Sequence, residues 1–131
     1  MSGGSNLGVI IGGDVPFLRV LLKMAMEDAG FQVVDEVMDR TELLTACIRK
    51  KPDVVILDLK LSHEESVRLI EDLLDVDASV AIVAVADIEE GYSDKVLAAG
   101  ARAFIQKPFS MYDLIDLIRK VAPDNRLRTT A

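Results

Sequence analysis

Cysteine and histidine each occur once in the 131 residues, as Cys47 and His63. A lone cysteine cannot close an internal disulfide, so no disulfide framework organises the fold and a reducing compartment is expected. One histidine without a second gives no zinc site. Positive charge is scarce too: 15 Lys and Arg stand against 22 Asp and Glu, for a formal net charge of −7. Such a surface repels a phosphate backbone, which argues against direct nucleic-acid binding and leaves basic partners open. No apolar run reaches membrane-spanning length, so no membrane association is expected. Residues 1–6 have neither a basic nor an apolar stretch and read as a flexible leader or cloning scar, not a signal peptide. These absences together point to a cytoplasmic location. There is no internal repeat, and no G-x-G-x-x-G or Walker pattern marks a phosphate loop.

What is present is a globular composition, 50% hydrophobic and 28% charged, at the length of one domain. Five short apolar runs, at 7–12, 32–37, 53–58, 79–86 and 103–106, alternate with amphipathic segments. The third and fourth runs are nearly continuous, as expected for strands covered on both faces. The first helix opens at Pro16, carries Phe17, Leu21, Met24 and Ala25 at helical spacing, and ends at Gly30. Helices are also expected at 41–50, from 63 or 64 to about 74, at 90–99, and from Ser110 to just before Pro123. Ser110 with Asp113 three residues on resembles a capping box. This alternation implies a parallel sheet with helices on both faces, whose sites form beyond the carboxyl ends of the strands. Asp14, Asp58, the 85–87 segment and Lys107-Pro108 stand at those ends.

Two carboxylates and one ammonium therefore converge on one edge. Close carboxylates repel, and a divalent cation relieves the repulsion. Few ligands, all oxygen, suit Mg²⁺, which keeps several waters and accepts phosphate oxygens. A carboxylate can attack a phosphoryl group to give an acyl phosphate, whose charge a nearby Lys neutralises.

Val54-Val-Ile-Leu-Asp58-Leu, Ala99-Gly-Ala101, Phe104-Ile-Gln-Lys107-Pro-Phe109 and Gly12-Gly-Asp14 together resemble the receiver domain of two-component response regulators, the CheY-like family. Lys107-Pro108-Phe109, at its distance from Asp58, is the most specific part. The resemblance implies an α/β, flavodoxin-like (βα)5 domain over residues 7–122, with a five-stranded parallel sheet in order 2-1-3-4-5 and a flexible tail at 123–131. It further implies Asp58 as phospho-acceptor and Asp14 as a direct Mg²⁺ ligand, with the backbone carbonyl of Lys60 as another. Lys107 matches the lysine that contacts the phosphoryl group, and Phe104 the aromatic switch position. A cis Lys107–Pro108 bond is also implied.

The departures are specific. The acidic pair after the first strand is reduced to Asp14, because Gly13 takes the other place, and Gly13→Asp is expected to tighten Mg²⁺. Val85 stands where the family carries Thr or Ser and offers no hydroxyl to a phosphoryl oxygen. Ser62 and Ser66 lie in the segment after Asp58, where Pro and Gly are usual. Lys60 and Asp87, each two positions beyond a site residue, are expected to modulate the site by pairing across it.

Plainer readings stand beside these. Asp58 can be a strand-end carboxylate, Lys107 a surface lysine and Phe104 a half-buried strand aromatic. Gly12-Gly13 reads as a tight strand-to-helix turn. Cys47 reads as a small core residue, and Met24, Met26 and Met38 as core or helix-face filler. Ser62-His63-Glu64 faintly echoes a phospho-accepting histidine box and is read as coincidence.

The first functional expectation is a receiver, not an enzyme. It would take a phosphoryl group from a histidine kinase or phosphotransfer protein onto Asp58 and signal to a downstream protein through the fourth helix, fifth strand and fifth helix, including Phe104 and Tyr112. The second is a pseudo-receiver, an interaction module without productive phosphorylation, favoured by Gly13 and Val85. A small enzyme passing through an aspartyl phosphate ranks last, since it has only the nucleophile in its support.

Overall fold

A computed structural model describes residues 7–60, 62–87 and 91–123. The expected leader at 1–6 and the tail from 124 onward lie outside the described residues. Five strands and five helices alternate as β1 (Gly8–Gly12), α1 (Pro16–Asp28), β2 (Gln32–Val37), α2 (Arg40–Lys50), β3 (Val54–Asp58), α3 (His63–Val76), β4 (Ala81–Ala86), α4 (Tyr92–Ala99), β5 (Ala103–Gln106) and α5 (Met111–Val121). The strands pair in parallel in the order β2-β1-β3-β4-β5, as expected for the flavodoxin-like arrangement.

The two-residue period of a strand sorts the core into two layers. Val9, Ile11, Val54, Ile56, Val83 and Val85 pack toward Leu22 and Met26 of α1 and Leu114 and Ile118 of α5. Ile10, Val55, Leu57, Ile82 and Ala84 pack on the other face, toward Leu43 of α2, Leu69 and Leu73 of α3 and Val96 of α4. Because β3 and β4 are buried on both faces, their sequences read as continuous apolar runs.

Helix starts are set by short polar side chains. Asp39 caps α2 by accepting from the Glu42 amide, and Ser110 caps α5 by accepting from the Asp113 amide. Ser62 and Glu65 form a full capping box on α3, which fixes where the chain after β3 re-enters helix.

Two expectations need correction. In α1 the helical period is right and Ala25 faces the sheet, but Phe17, Leu21 and Met24 do not. Phe17 and Met24 are 73% and 58% exposed, whereas Leu18, Leu22, Ala25 and Met26 face the sheet. The helix is apolar around most of its circumference, so spacing alone could not choose the buried stripe. The fourth run was expected to start at 79, but Ser79 is drawn into a turn, its amide and hydroxyl both donating to Asp77 Oδ1, and β4 begins at Ala81. Helix α4 begins at Tyr92, after Gly91 at φ 77, and the expected start at 90 lies outside the described residues.

Candidate functional site

Strand parity decides where Asp58 points. It follows Val54 and Ile56 at even spacing, and so belongs to the face that packs on α1 and α5. Its side chain is only 3% exposed, and Lys107 Nζ lies 2.6 Å from Oδ1. The ammonium balances the charge on Oδ1, and beyond this ion pair neither Asp58 oxygen has a hydrogen-bond partner among the described residues. A buried carboxylate left in this condition is costly. Such an orphan marks a place where another group belongs.

Lys107 is held there by the sheet. Its amide donates to the Ala86 carbonyl at 2.8 Å, which prolongs the β4–β5 pairing by one residue beyond β5. The following bond, Lys107–Pro108, is cis, as the resemblance implied. Val85 is the register partner of Asp58 and is fully buried, and the Leu59 amide donates to its carbonyl at 2.8 Å. The neighbour of Asp58 on β4 is thus a methyl-bearing side chain, unable to donate.

On the other flank, Gly13 continues β1. Its amide donates to the Val37 carbonyl, and its own carbonyl accepts from Arg19 Nη1 at 2.7 Å. Neither Gly12 nor Gly13 has a positive φ, so turn geometry is not what requires them. What Gly13 meets is a lateral constraint: a Cβ placed on it would stand 2.9 Å from Asp58 Cβ. The missing acid is therefore more than a lost charge, because the end of β1 closes on Asp58 into the space a side chain would need.

Asp14 is solvent-exposed at the rim, and Lys60 Nζ lies 4.0 Å from its Oδ1. The expected partner of Lys60, Asp87, is exposed and forms no ion pair with it. The Lys60 side chain turns instead toward β1, the strand that borders β3 on the side away from Asp87. Asp14, Asp58 and Lys60 share a cleft of about 280 Å³ with Asp39, whose far wall is apolar and includes Leu43 and Leu69. Arg40 also lines the cleft and is held by an ion pair to Asp72 of α3.

The donors at this edge are two carboxylates and backbone, with no cluster of three or more His, Cys, Asp or Glu among the described residues. That set fits a cation content with one or two carboxylates plus water, and the orphaned oxygens of Asp58 are what such a cation would satisfy.

Phe104 lies on the opposite sheet face from Asp58, half-buried, with its ring edge-on to Tyr92. Tyr92 and Ser66, both buried, and the half-buried His63 form a cluster there that sequence reasoning did not assemble. Ser66 was noted only as a departure and His63 only as coincidence. Their i, i+3 spacing at a helix start was the available signal. Met38 was expected as filler but is 57% exposed and lines the cleft. Cys47 is buried as expected, and its thiol is pushed up to about 11, by burial first and the Asp77 charge second.

Residues 9–119 match the family model of the response regulator receiver domain. A chemotaxis protein CheY of Thermotoga maritima is 26% identical over 115 residues, covering 87% of this chain and 96% of that protein. The KDP operon transcriptional regulatory protein KdpE of Escherichia coli is 38% identical over 125 residues, covering 94% of this chain but 54% of the longer regulator. Among solved structures, the CheX-CheY-BeF3-Mg complex from Borrelia burgdorferi superimposes with a TM-score of 0.81 at 18% identity, covering 92% of this chain and 98% of that one.

Proposed function

The chain belongs to the response regulator receiver domain family of two-component signalling, and on that premise we propose that Asp58 accepts a phosphoryl group from a histidine kinase or phosphotransfer protein. The observation that carries the reading is the buried Asp58 carboxylate, with both oxygens unbonded and one ammonium at 2.6 Å. In the transfer, an Asp58 oxygen lone pair forms the new O–P bond while the donor's N–P bond breaks. The bonding pair stays on the leaving imidazole nitrogen, and the protein gains an acyl phosphate. Lys107 offsets the negative charge that arrives.

Receivers of this family generally bind Mg²⁺ at the phosphorylation site. Here Asp14, Asp58 and the Lys60 carbonyl would hold it, and the ion would supply charge neutralisation for the phosphoryl oxygens. The Lys60 ammonium competes for the same Asp14 carboxylate, which makes Lys60 a modulator of the site. Asp87 stands as the modulator on the opposite flank. The output face is that of α4, β5 and α5, where Phe104 is half-buried, Leu97 is exposed and Tyr112 is 83% exposed. Contact with a downstream protein there, in the cytoplasm and without direct nucleic-acid binding, completes the reading. Among the described residues no helix is long and apolar enough to cross a membrane.

A second reading, the pseudo-receiver, is favoured by Gly13 and Val85. Acetyl phosphate, with and without Mg²⁺, separates the two by intact mass. One added phosphoryl group that needs Mg²⁺ and disappears in Asp58→Asn is the expected result. No added mass under conditions that label an ordinary receiver would sink the first reading in favour of the second.

A further inference from the structure

Loss of a hydroxyl at position 85 removes the coupling from site to output face that the family resemblance implies. The fold has a different buried polar contact on the side where Phe104 lies. Ser66 is fully buried. Its hydroxyl lies 2.6 Å from the Tyr92 hydroxyl. Tyr92, the first residue of α4, is itself only 4% exposed. One turn before Ser66, His63 stacks on the same ring at 4.8 Å between centroids, with the planes 26° apart. The ring also makes a T-shaped contact with Phe104, at 6.1 Å between centroids and 89° between planes.

These contacts form a short physical chain. Asp58 is followed by Leu59, which is buried in the same apolar layer as Tyr92. Three residues further on, the Ser62–Glu65 capping box fixes the start of α3, and with it the directions of His63 and Ser66. Both grip Tyr92, and Tyr92 sets the position available to the Phe104 ring. A buried hydroxyl pair is specific in a way that apolar packing is not. It is satisfied in one alignment of α3 and α4 and lost in others, so a shift of the α3 start cannot leave α4 unaffected. Phe104, half-buried, is the element free to change its packing in response.

We propose that Tyr92 is the positioning residue that ties the segment following Asp58 to Phe104, acting through Ser66 and His63 in place of a hydroxyl at position 85. The inference rests on the reading of Asp58 as the phosphoryl acceptor. The linkage itself is a property of the α3–α4 seam and can be tested apart from that reading.

The test perturbs the site in two ways and reads the rings of Tyr92 and Phe104 by NMR. One perturbation is acetyl phosphate with Mg²⁺, with intact mass reporting phosphoryl transfer in each protein. The other is Asp58→Glu, which lengthens the carboxylate with no transfer at all. In the otherwise unaltered chain both rings are expected to shift together. In Tyr92→Phe, which keeps the ring and loses the hydroxyl, the Phe104 shift is expected to fall by at least half, and in Ser66→Ala likewise. An undiminished Phe104 response in both variants overturns the proposal. So does a Tyr92 ring that ignores Asp58→Glu. If acetyl phosphate adds no mass, the reading of Asp58 fails on its own, and the Asp58→Glu comparison still decides the linkage.

Discussion

Replacing Lys107 by methionine should cost more stability than replacing Asp58 by asparagine, although each removes one half of the same ion pair. The asymmetry follows from burial. The Asp58 side chain is 3% exposed and receives no hydrogen bond, whereas Lys107 is 22% exposed. At 2.6 Å an effective dielectric constant near 20 gives a gross attraction of about 6 kcal/mol. Stripping a buried ion of its partner typically costs about 3–5 kcal/mol. The site lies at an edge that water can reach once Lys107 is shortened, so we take about 2–4 kcal/mol for Lys107→Met. In Asp58→Asn the freed ammonium turns to solvent, and the loss should be about 0–1 kcal/mol. The double variant should recover most of the Lys107→Met deficit. Urea unfolding followed by far-UV circular dichroism at pH 7 measures all four proteins, with m expected to stay constant. Single variants agreeing within about 0.5 kcal/mol, or Asp58→Asn proving the costlier, would refute the picture of a carboxylate that depends on one partner.

Gly13→Ala should destabilise by about 1–3 kcal/mol, because the new methyl group presses on Asp58 Cβ. Gly13→Asp should carry the same cost, so any gain in Mg²⁺ affinity, measured by calorimetry, comes only after β1 and β3 have separated. The Cys47 thiol should react with a disulfide reagent at pH 8 at least about 10-fold more slowly in the folded chain than in urea, because burial raises its pKa from 9.0 to about 11 and shields it from the reagent. The same rise means that the folded state holds the Cys47 proton longer than the unfolded state. Its contribution to stability is then fully present below pH 9 and is lost as pH climbs from about 9 to about 11, which Cys47→Ala should abolish in unfolding curves taken across that range.

Most of the candidate site was legible because each of its residues lies at or just beyond the end of a strand. A parallel sheet brings the carboxyl ends of β1, β3, β4 and β5 to one edge whatever the details of packing. Asp14, Asp58, Val85 and Lys107 could therefore be assembled from run lengths and resemblance alone. The contents of the helix seams were not legible in this way. The Tyr92–Ser66 hydrogen bond joins residues 26 apart, and nothing in either local pattern says that α3 and α4 meet there. The pairing of Lys60 with Asp14 and not Asp87 shows the same limit. Both acids lie just beyond the ends of the two strands that flank β3, and only the direction of one flexible side chain separates them.

Local chemistry in the sequence determined the alternation of strands and helices, the cap at Ser110 and the break at Gly30, and the strand-end positions of the acidic and basic groups, because each depends on a few neighbouring residues. Tertiary structure alone decided which stripe of α1 is buried, how closely Gly13 lets β1 approach Asp58, and that a tyrosine at the start of α4 stands between the start of α3 and Phe104. Those are outcomes of how whole elements settle against one another, which a residue-by-residue pattern leaves open.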